Sequence, residues 1–265
     1  MKIVRFLDES NITQTGFYIG DNGAEIVSGN IEKGFIKTGT IKTIKEYLPP
    51  LEPVNIFAIG LNYLDHIKET SMERSDFPVL FMKATSSVAA HNSTICLPEC
   101  EIKGPETDFE GELAVIIGKR VKNATVKNAL DSVYGYTCAN DVSARRWQKY
   151  AGENQWVRGK SFDTFCPLGP YIVTRDEIDD PSNLKIKTEL NGKIMQKSNT
   201  QNMLFSIGEI ISFISRDTTL LPGTVILTGT PDGVGFTRNP RIFLQSDDII
   251  KITIEKIGSL INIVK

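Results

Sequence analysis

The sequence predicts a strand-rich α/β fold with several helices. Continuous apolar runs of strand length, rich in β-branched residues, occupy positions 77–84, 112–118 and 223–229. Residues 249–258 instead alternate apolar and polar side chains, as a half-buried strand does. The clearest amphipathic helix spans 204–216, where four apolar residues recur at the helical period: Leu204, Ile207, Ile211 and Ile214.

Residues 1–53 are predicted to form a small, strand-rich N-terminal domain. Short apolar segments punctuated by Gly and Asn predict strands and turns over the first 30 residues. The segment TIKTIKEYL (40–48) predicts one short helix. Three prolines then interrupt the chain, because proline lacks an N–H donor and restricts the residue before it: Pro49, Pro50 and Pro53. We therefore place a boundary at residue 53.

The second predicted domain, residues 54–265, contains the longer elements. Residues 55–63 predict a buried strand that ends at Gly60, and residues 64–70 predict a short helix. The segment 126–141 begins with a helical pattern and ends as a strand. Strands and helices therefore alternate through this part of the chain.

Composition excludes several functional classes. The chain has 265 residues, of which 40% are hydrophobic, and its net charge is −2. A protein that binds nucleic acid without sequence preference needs a basic field, which this chain lacks. No run approaches 18 apolar residues, so no membrane span is expected. The N-terminus lacks the apolar core of a secretory signal, and four cysteines without a CxxC pair predict reduced thiols in a cytoplasmic protein.

The scarcity of histidine indicates the kind of metal site that the chain could form. His66 and His91 are the only histidines, too few for the closely spaced Cys/His sets of structural zinc. A site with two histidines and one carboxylate would require both of them. We assign no role to His91, and we expect any metal to be held by oxygen.

Three carboxylates could form such a site. Residues two apart in a strand point to one face, so Glu110 and Glu112 would project side by side at the start of an apolar strand. Glu110 and Glu112 could equally be surface charges at the solvent-exposed start of the strand. Asp141 follows another short apolar segment, where it could cap a helix, form a turn or supply a third oxygen ligand.

Two further motifs carry potential proton donors and cations. His66 and Glu69 are neighbours on a helix, so Glu69 could fix one ring nitrogen of His66 and leave the other for proton transfer. An exposed ion pair of little consequence is the alternative. The sequence predicts that Lys160 lies in a loop. There it could be solvated, could pair with an anionic substrate, or could act as a base if its pKa were lowered.

A Gly-rich segment at 227–235 (LTGTPDGVG) lacks the features of a phosphate-binding loop. It has neither the Lys-Ser/Thr of a P-loop nor the GxGxxG spacing of a dinucleotide loop. Its backbone amides and Thr230 could still approach a carboxylate, or the segment could be a tight turn.

Five motifs follow one another along the chain: GLNYLDHIKE, DFEGELAVIIG, NDVSARRWQ, RGKSFDTFCPLGP and LTGTPDGVG. In this order, they resemble the motifs of the fumarylacetoacetate hydrolase family. The resemblance runs from about residue 54 to residue 265, and from 141 to 235 it is strongest to an animal branch of the family and its bacterial relatives. It implies a mixed β-sandwich roll with flanking helices, a homodimer, and Mg²⁺, or Mn²⁺, bound by Glu110, Glu112 and Asp141.

The resemblance also implies the remaining site residues and the chemistry. The active-site lysine falls on Lys160, and a His–Glu dyad carried by a lid segment falls on His66 and Glu69. The positions that contact the substrate fall on three residues: Arg145, Gln148 and Thr230. The substrates of the family are 2-oxo acids, or compounds that become them, and they react through an enolate.

The motifs do not choose among the reactions that can follow the enolate. Oxaloacetate tautomerisation, oxaloacetate decarboxylation and acylpyruvate hydrolysis are the leading expectations. Isomerisation or decarboxylation of a 2-hydroxyhepta-2,4-diene-1,7-dioate type of substrate, ureidoglycolate cleavage and a catalytically silent binding protein remain alternatives.

Overall fold

The computed structural model describes residues 1–99, 104–149 and 154–265. Strands dominate, in chain order β1 (Lys2–Leu7), β2 (Thr13–Gly20), β3 (Gly23–Asn30), β4 (Gly34–Thr43), β5 (Glu46–Leu48), β6 (Ile56–Gly60), β7 (Val79–Lys83), β8 (Val88–Ala89), β9 (Thr94–Ile95), β10 (Thr107–Asp108), β11 (Gly111–Ile117), β12 (Val133–Asn140), β13 (Ser143–Ala144), β14 (Cys166–Thr174), β15 (Lys185–Leu190), β16 (Lys193–Asn199), β17 (Val225–Leu227), β18 (Ile249–Ile254) and β19 (Gly258–Val264). The α-helices are short: α1 (Leu64–Thr70), α2 (Arg145–Lys149), α3 (Trp156–Lys160) and α4 (Ile207–Ile214). The predicted strand-rich α/β class is confirmed.

A large mixed sheet forms one layer of the protein. Its strands lie in the order β4-β3-β2-β1-β14-β12-β11-β17-β6-β7, with β5 paired to β1 and β8 to β14. Most neighbours are antiparallel, whereas β17 and β6 are parallel. The central strands β11 and β12 are buried along almost their whole length, so side chains at their ends are held by a rigid frame.

A second sheet packs against the first one. Its strand order is β16-β15-β18-β19-β9. Leu113 and Val115 of β11 share a hydrophobic core with Ile252 and Ile254 of β18, while the intervening Ala114 and Ile116 pack on the opposite face of the first sheet. Residues of α4 complete the shared core. Alternate side chains of β11 therefore pack into two different hydrophobic cores, as expected for an apolar strand that is buried on both faces.

The predicted helix at 40–48 is wrong. Residues up to Thr43 belong to β4, which pairs with β3, and residues 46–48 form β5. The segment TIKTIK repeats isoleucine every third residue, which imitates a helical period. Its β-branched Thr and Ile side chains instead favour the extended backbone, and β3 supplies the hydrogen-bonding partner.

The N-terminal strands join the same sheet as the rest of the chain. Lys2 and Ile3 of β1 pair with Val173 and Ile172 of β14, so the large sheet continues across residue 53. The division into domains 1–53 and 54–265 remains a prediction.

Two expectations about composition can be compared with the structure. Among the described residues, no helix is long and apolar enough to cross a membrane. Cys96, Cys138 and Cys166 carry free thiols, whereas Cys100 lies outside the described residues.

Candidate active site

The antiparallel pair β11–β12 brings the three predicted carboxylates together. Gly111 of β11 lies opposite Asn140, the last residue of β12. The Asn140 Oδ1 accepts a hydrogen bond from the Glu110 amide at 3.0 Å, and the Asp141 amide donates to the Glu110 carbonyl at 2.9 Å. Ligand oxygens of Glu110, Glu112 and Asp141 consequently lie within 4.8 Å of one another, and all three residues are buried.

Gly111 is required between the two glutamates because the second sheet approaches the backbone there. A Cβ added to this residue would lie 2.1 Å from the Thr188 Oγ1 of β15. The Gly111 amide donates to the Gln196 Oε1 at 2.9 Å, which fixes the start of β11 to β16. Both sheets therefore determine the position of the glutamates.

Two buried lysines contact the carboxylates. The Lys160 Nζ donates to the Glu110 Oε2 at 2.9 Å and to the Asp141 Oδ2 at 2.6 Å. The Lys83 Nζ donates to the other oxygen of Asp141, Oδ1, at 2.5 Å. Each carboxylate oxygen of Asp141 thus accepts a hydrogen bond from a lysine.

Lys160 is the last residue of α3 rather than a loop residue, which corrects our expectation. Burial lowers its pKa, but the negative charges of Asp141 and Glu110 outweigh burial, and the net pKa is raised. Lys160 therefore stays protonated at neutral pH, which favours the role of a fixed cation over that of a base.

Glu112 is the carboxylate whose charge is not balanced. Among the residues that the structure describes, no cationic side chain forms an ion pair with it, and its Oε2 accepts a 2.7 Å hydrogen bond from the Gly229 amide. Burial raises its pKa well above the usual value, and the charges of Asp141 and Glu110 raise it further. A divalent cation would relieve this repulsion, so the donor set fits a metal ion that prefers oxygen.

The whole buried cluster has a deficit of positive charge. Burial alone would raise the pKa of Glu110, but Lys160 and Arg145 reverse this effect and hold it below the usual value. Within the described residues, the cluster contains four carboxylates, Asp108, Glu110, Glu112 and Asp141, but the cations in ion pairs with them are three: Lys83, Lys160 and Arg145. The deficit supports the metal assignment independently of the distances.

Arg145 has carboxylates on two sides. Its Nη1 lies 2.7 Å from the Glu110 Oε1, and its Nη2 lies 2.8 Å from the Asp108 Oδ2. Asp108 also accepts backbone hydrogen bonds from Gly235 and Phe236, at 2.7 and 3.0 Å. Arg145 thus positions Glu110 and connects it to the 227–235 loop, while its predicted contact with a substrate remains a prediction.

The predicted His–Glu pair forms on α1. The His66 Nδ1 lies 3.2 Å from the Glu69 Oε2. The Glu69 Oε1 accepts hydrogen bonds from the Gly233 amide at 3.0 Å and from the Thr237 hydroxyl at 2.7 Å. Burial raises the pKa of Glu69, but the hydrogen bonds from His66 and Thr237 outweigh it, and the net pKa is lowered. The carboxylate therefore stays ionised and leaves the Nε2 of His66 for a substrate.

The side chains of Thr230 and Gln148 both form hydrogen bonds with neighbouring residues. The Thr230 hydroxyl donates to the Gly111 carbonyl at 3.0 Å and accepts from the Gln196 Nε2 at 2.8 Å. The Gln148 Oε1 accepts from the Arg145 Nη1 at 3.0 Å, which leaves its amide NH₂ as a donor. Gln148 is therefore better placed than Thr230 to donate a hydrogen bond to a substrate.

A cavity of about 280 Å³ opens above the carboxylates. Its apolar side is lined by residues that include Ile59, Phe81 and Trp156. Seven of the nine predicted site residues line it: His66, Glu110, Glu112, Arg145, Gln148, Lys160 and Thr230. Glu69 and Asp141 lie behind this lining, where they hold His66 and Lys160.

Sequence reasoning missed Lys83, Asp108 and Gln196. Asp108 stands two residues before Glu110 in the same motif, so strand alternation could have identified it. Lys83 follows the apolar run VLFM and carries no local signal of a site. Gln196 acts from the other sheet, which no local pattern reveals.

Comparison with known proteins finds a matching family and similar sequences. Residues 55–265 match the fumarylacetoacetate (FAA) hydrolase C-terminal family. The chain is 46% identical over 225 residues to a fumarylacetoacetate hydrolase domain-containing protein 2 homolog of Dictyostelium discoideum, covering 82% of this chain and 73% of that protein. It is 45% identical over 214 residues to the mitochondrial oxaloacetate tautomerase of Xenopus laevis, covering 81% of this chain and 66% of that enzyme.

A solved structure extends the similarity to the full chain. The 5-carboxymethyl-2-hydroxymuconate delta-isomerase of Mycobacterium smegmatis superposes with a TM-score of 0.86 at 35% identity, covering 100% of this chain and 99% of that chain.

Proposed function

The chain belongs to the fumarylacetoacetate hydrolase family and is an enzyme of that family, and we propose that it is a metal-dependent oxaloacetate tautomerase. The observation that carries the proposal is a buried cluster of carboxylates that has fewer cations than anions and lies beneath a cavity. His66, whose ring is held by Glu69, lines the same cavity. This arrangement puts a proton-transfer group above a site that attracts cations. The similarity to the Xenopus tautomerase supports the choice of oxaloacetate.

The metal is part of the proposal. Glu110, Glu112 and Asp141 would hold one divalent cation, for which we propose Mg²⁺, with Mn²⁺ as the alternative. When bound, such an ion supplies Lewis-acid stabilisation of the negative charge that develops on a 2-oxo oxygen.

The side chains around the cluster would then bind and orient the substrate. Lys160, kept protonated by Asp141 and Glu110, provides a fixed positive charge for the anionic 2-oxo acid. The Gln148 amide donates a hydrogen bond, and the apolar wall around Phe81 excludes water. The Nε2 of His66 moves a proton between carbon 3 and solvent while Glu69 fixes the ring through Nδ1.

A second candidate is isomerisation of a longer unsaturated 2-hydroxy diacid. It uses the same movement of a proton next to an enolate, and the structural similarity to the mycobacterial isomerase favours it. The apolar side of the cavity, with Ile59, Phe81 and Trp156, suits a hydrocarbon chain longer than that of oxaloacetate. Decarboxylation and acylpyruvate hydrolysis share the enolate and are distinguished by their products.

One assay separates these reactions. Purified protein with Mg²⁺ and oxaloacetate is followed by enol absorbance and by pyruvate formation in parallel, with Glu110→Gln as the control. We expect faster enol–keto exchange without extra pyruvate, and loss of that acceleration in the variant. Pyruvate formation above the Mg²⁺ background would instead indicate a decarboxylase. No effect on either signal would contradict the oxaloacetate proposal and make acylpyruvates and longer diacids the next substrates.

We also propose a homodimer in the cytoplasm. The exposed edge strand β7 presents Leu80 and Met82, which are 41% and 38% exposed, and a second copy could cover them. Light scattering during gel filtration tests the dimer.

The Xenopus relative is a mitochondrial protein, so subcellular fractionation tests the proposed cytoplasmic location.

A further inference from the structure

Lys149 is a cation that lines the cavity and that, among the described residues, lacks a carboxylate partner. It is the last residue of α2, it is half-buried, and it lines the cavity together with Gln148. Among residues 1–99, 104–149 and 154–265, no acidic side chain forms an ion pair with it. The nearby Glu110 and Asp108 act on it only across a distance.

The other two cations that line the cavity differ from Lys149 in this respect. Lys160 contacts the carboxylates of Glu110 and Asp141, and Arg145 contacts those of Asp108 and Glu110. The charges of Lys160 and Arg145 are therefore engaged by the carboxylates that they contact. Among the described cations of the cavity lining, the charge of Lys149 is the one that remains available to an anion entering the cavity.

An aromatic ring fixes the position of Lys149. Its Nζ lies 4.1 Å from the centroid of the Phe236 ring, and the Arg145 guanidinium lies 4.3 Å from the same centroid. Arg145 and Lys149 are one helical turn apart, so they share a face of α2. The Phe236 amide donates to Asp108 at 3.0 Å, which ties the ring to the cluster. Lys149 is thus held at a defined place beside the metal-ligand candidates.

We propose that Lys149 binds the second carboxylate of a dicarboxylic 2-oxo acid whose 2-oxo acid end lies at Lys160 and the three carboxylates. This inference rests on the proposed function and deepens it, because it makes Lys149 the residue that selects diacids over monoacids. Partial burial lowers the pKa of Lys149, and the charges of Arg145 and Arg241 lower it further. A bound carboxylate would offset these effects, so the pairing should be stronger than at an open surface.

The test compares a substrate that has a free second carboxylate with one in which a methyl ester removes that charge. Enol–keto exchange is measured with oxaloacetate and with its 4-methyl ester. For Lys149→Met we expect KM for oxaloacetate to rise about 10- to 100-fold, because the variant loses one charge-assisted hydrogen bond. KM for the ester should stay within about twofold of the parent value. Lys149→Arg should retain most of the preference for the diacid. The exposed Lys185 provides the control variant, Lys185→Met, which should change neither value.

An equal effect of Lys149→Met on both substrates, or no effect on either, would overturn the proposal. A binding measurement separates this result from failure of the tautomerase proposal. Tryptophan fluorescence, to which Trp156 in the cavity wall contributes, is titrated with oxaloacetate and with 2-oxobutyrate, the monoacid of the same length. Even without catalysis, we expect oxaloacetate to bind about 10- to 100-fold more tightly and Lys149→Met to remove the difference. Equal binding of the two acids by the unmodified protein would contradict the role of Lys149.

Discussion

The floor and the rim of the cavity are built in different ways. The floor, which consists of Glu110, Glu112, Asp141 and Lys160, is attached to the ends of the central strands β11 and β12 and to the end of α3, and it is buried. The rim, which consists of His66, Glu69 and Lys149, lies on two short helices, α1 and α2.

The charged groups of the two parts also have different partners. Every oxygen of Asp141 contacts a lysine, and Glu110 contacts both Lys160 and Arg145. In the rim, the His66 ring is held by one carboxylate, and the Lys149 ammonium group lies over an aromatic ring. We therefore propose that the floor concentrates charge in a fixed geometry, while the rim supplies proton transfer and selects the substrate.

The largest expected effect comes from the floor. Glu112→Gln removes one charge from the proposed metal site without changing its size, and we expect the exchange rate of oxaloacetate to fall about 1000-fold. Steady-state kinetics across Mg²⁺ concentrations measure this change, with Glu255→Gln at an exposed position as the control. Activity within a few-fold of the parent would place the chemistry elsewhere and remove the distinction between floor and rim.

The second prediction concerns the stability of the floor. Lys83→Met leaves the buried Asp141 with one of its two lysine partners, and breaking a buried ion pair should reduce the free energy of unfolding by about 3–5 kcal/mol. Urea denaturation measures the change. Lys119→Met, at an exposed position, should stay within about 0.5 kcal/mol. Equal stability of the two variants would mean that Lys83 does not hold the floor.

The rim should behave differently when its proton-transfer group is removed. His66→Gln is expected to reduce the exchange rate about 100-fold, a typical contribution of general acid–base catalysis, and to leave divalent-metal affinity unchanged. Parallel kinetics and calorimetric metal titrations test both halves of this prediction. Loss of metal affinity in this variant would show that the histidine belongs to the floor.

The smallest effect is a pH dependence of metal binding. Because the pKa of Glu112 is raised, its carboxyl group holds a proton below that pKa, and a divalent ion must displace it. Metal affinity should therefore decrease as the pH falls, by at most about tenfold per pH unit, with proton release on binding. Calorimetry in buffers of different ionisation enthalpy counts the protons. Affinity that is independent of pH would contradict the account of the charge deficit.

The site residues that follow local rules could be predicted from the sequence. Strand alternation brings Glu110 and Glu112 to one face, and helical spacing places Glu69 beside His66; the structure reproduces both arrangements. These relations depend on the periods of single elements, which the chain itself encodes.

Features that depend on distant pairing could not be predicted in the same way. Lys83 shares the buried face of β7 with Phe81, and nothing in this strand reveals that its partner is Asp141, which lies 58 residues further along the chain. Residues 40–43 belong to a strand because β3 lies beside them, although the pattern of 40–48 resembles a helix. Likewise, no local signal shows that Arg145 is surrounded by Asp108 and Glu110.

The central claim is that the buried floor binds a divalent cation. Calorimetric titration of Mg²⁺, and separately of Mn²⁺, into the purified protein and into Glu112→Gln tests it most directly. We expect one ion per chain for the parent protein and at least about 100-fold weaker binding for the variant. Absence of binding by the parent protein, or equal binding by the variant, would contradict the claim.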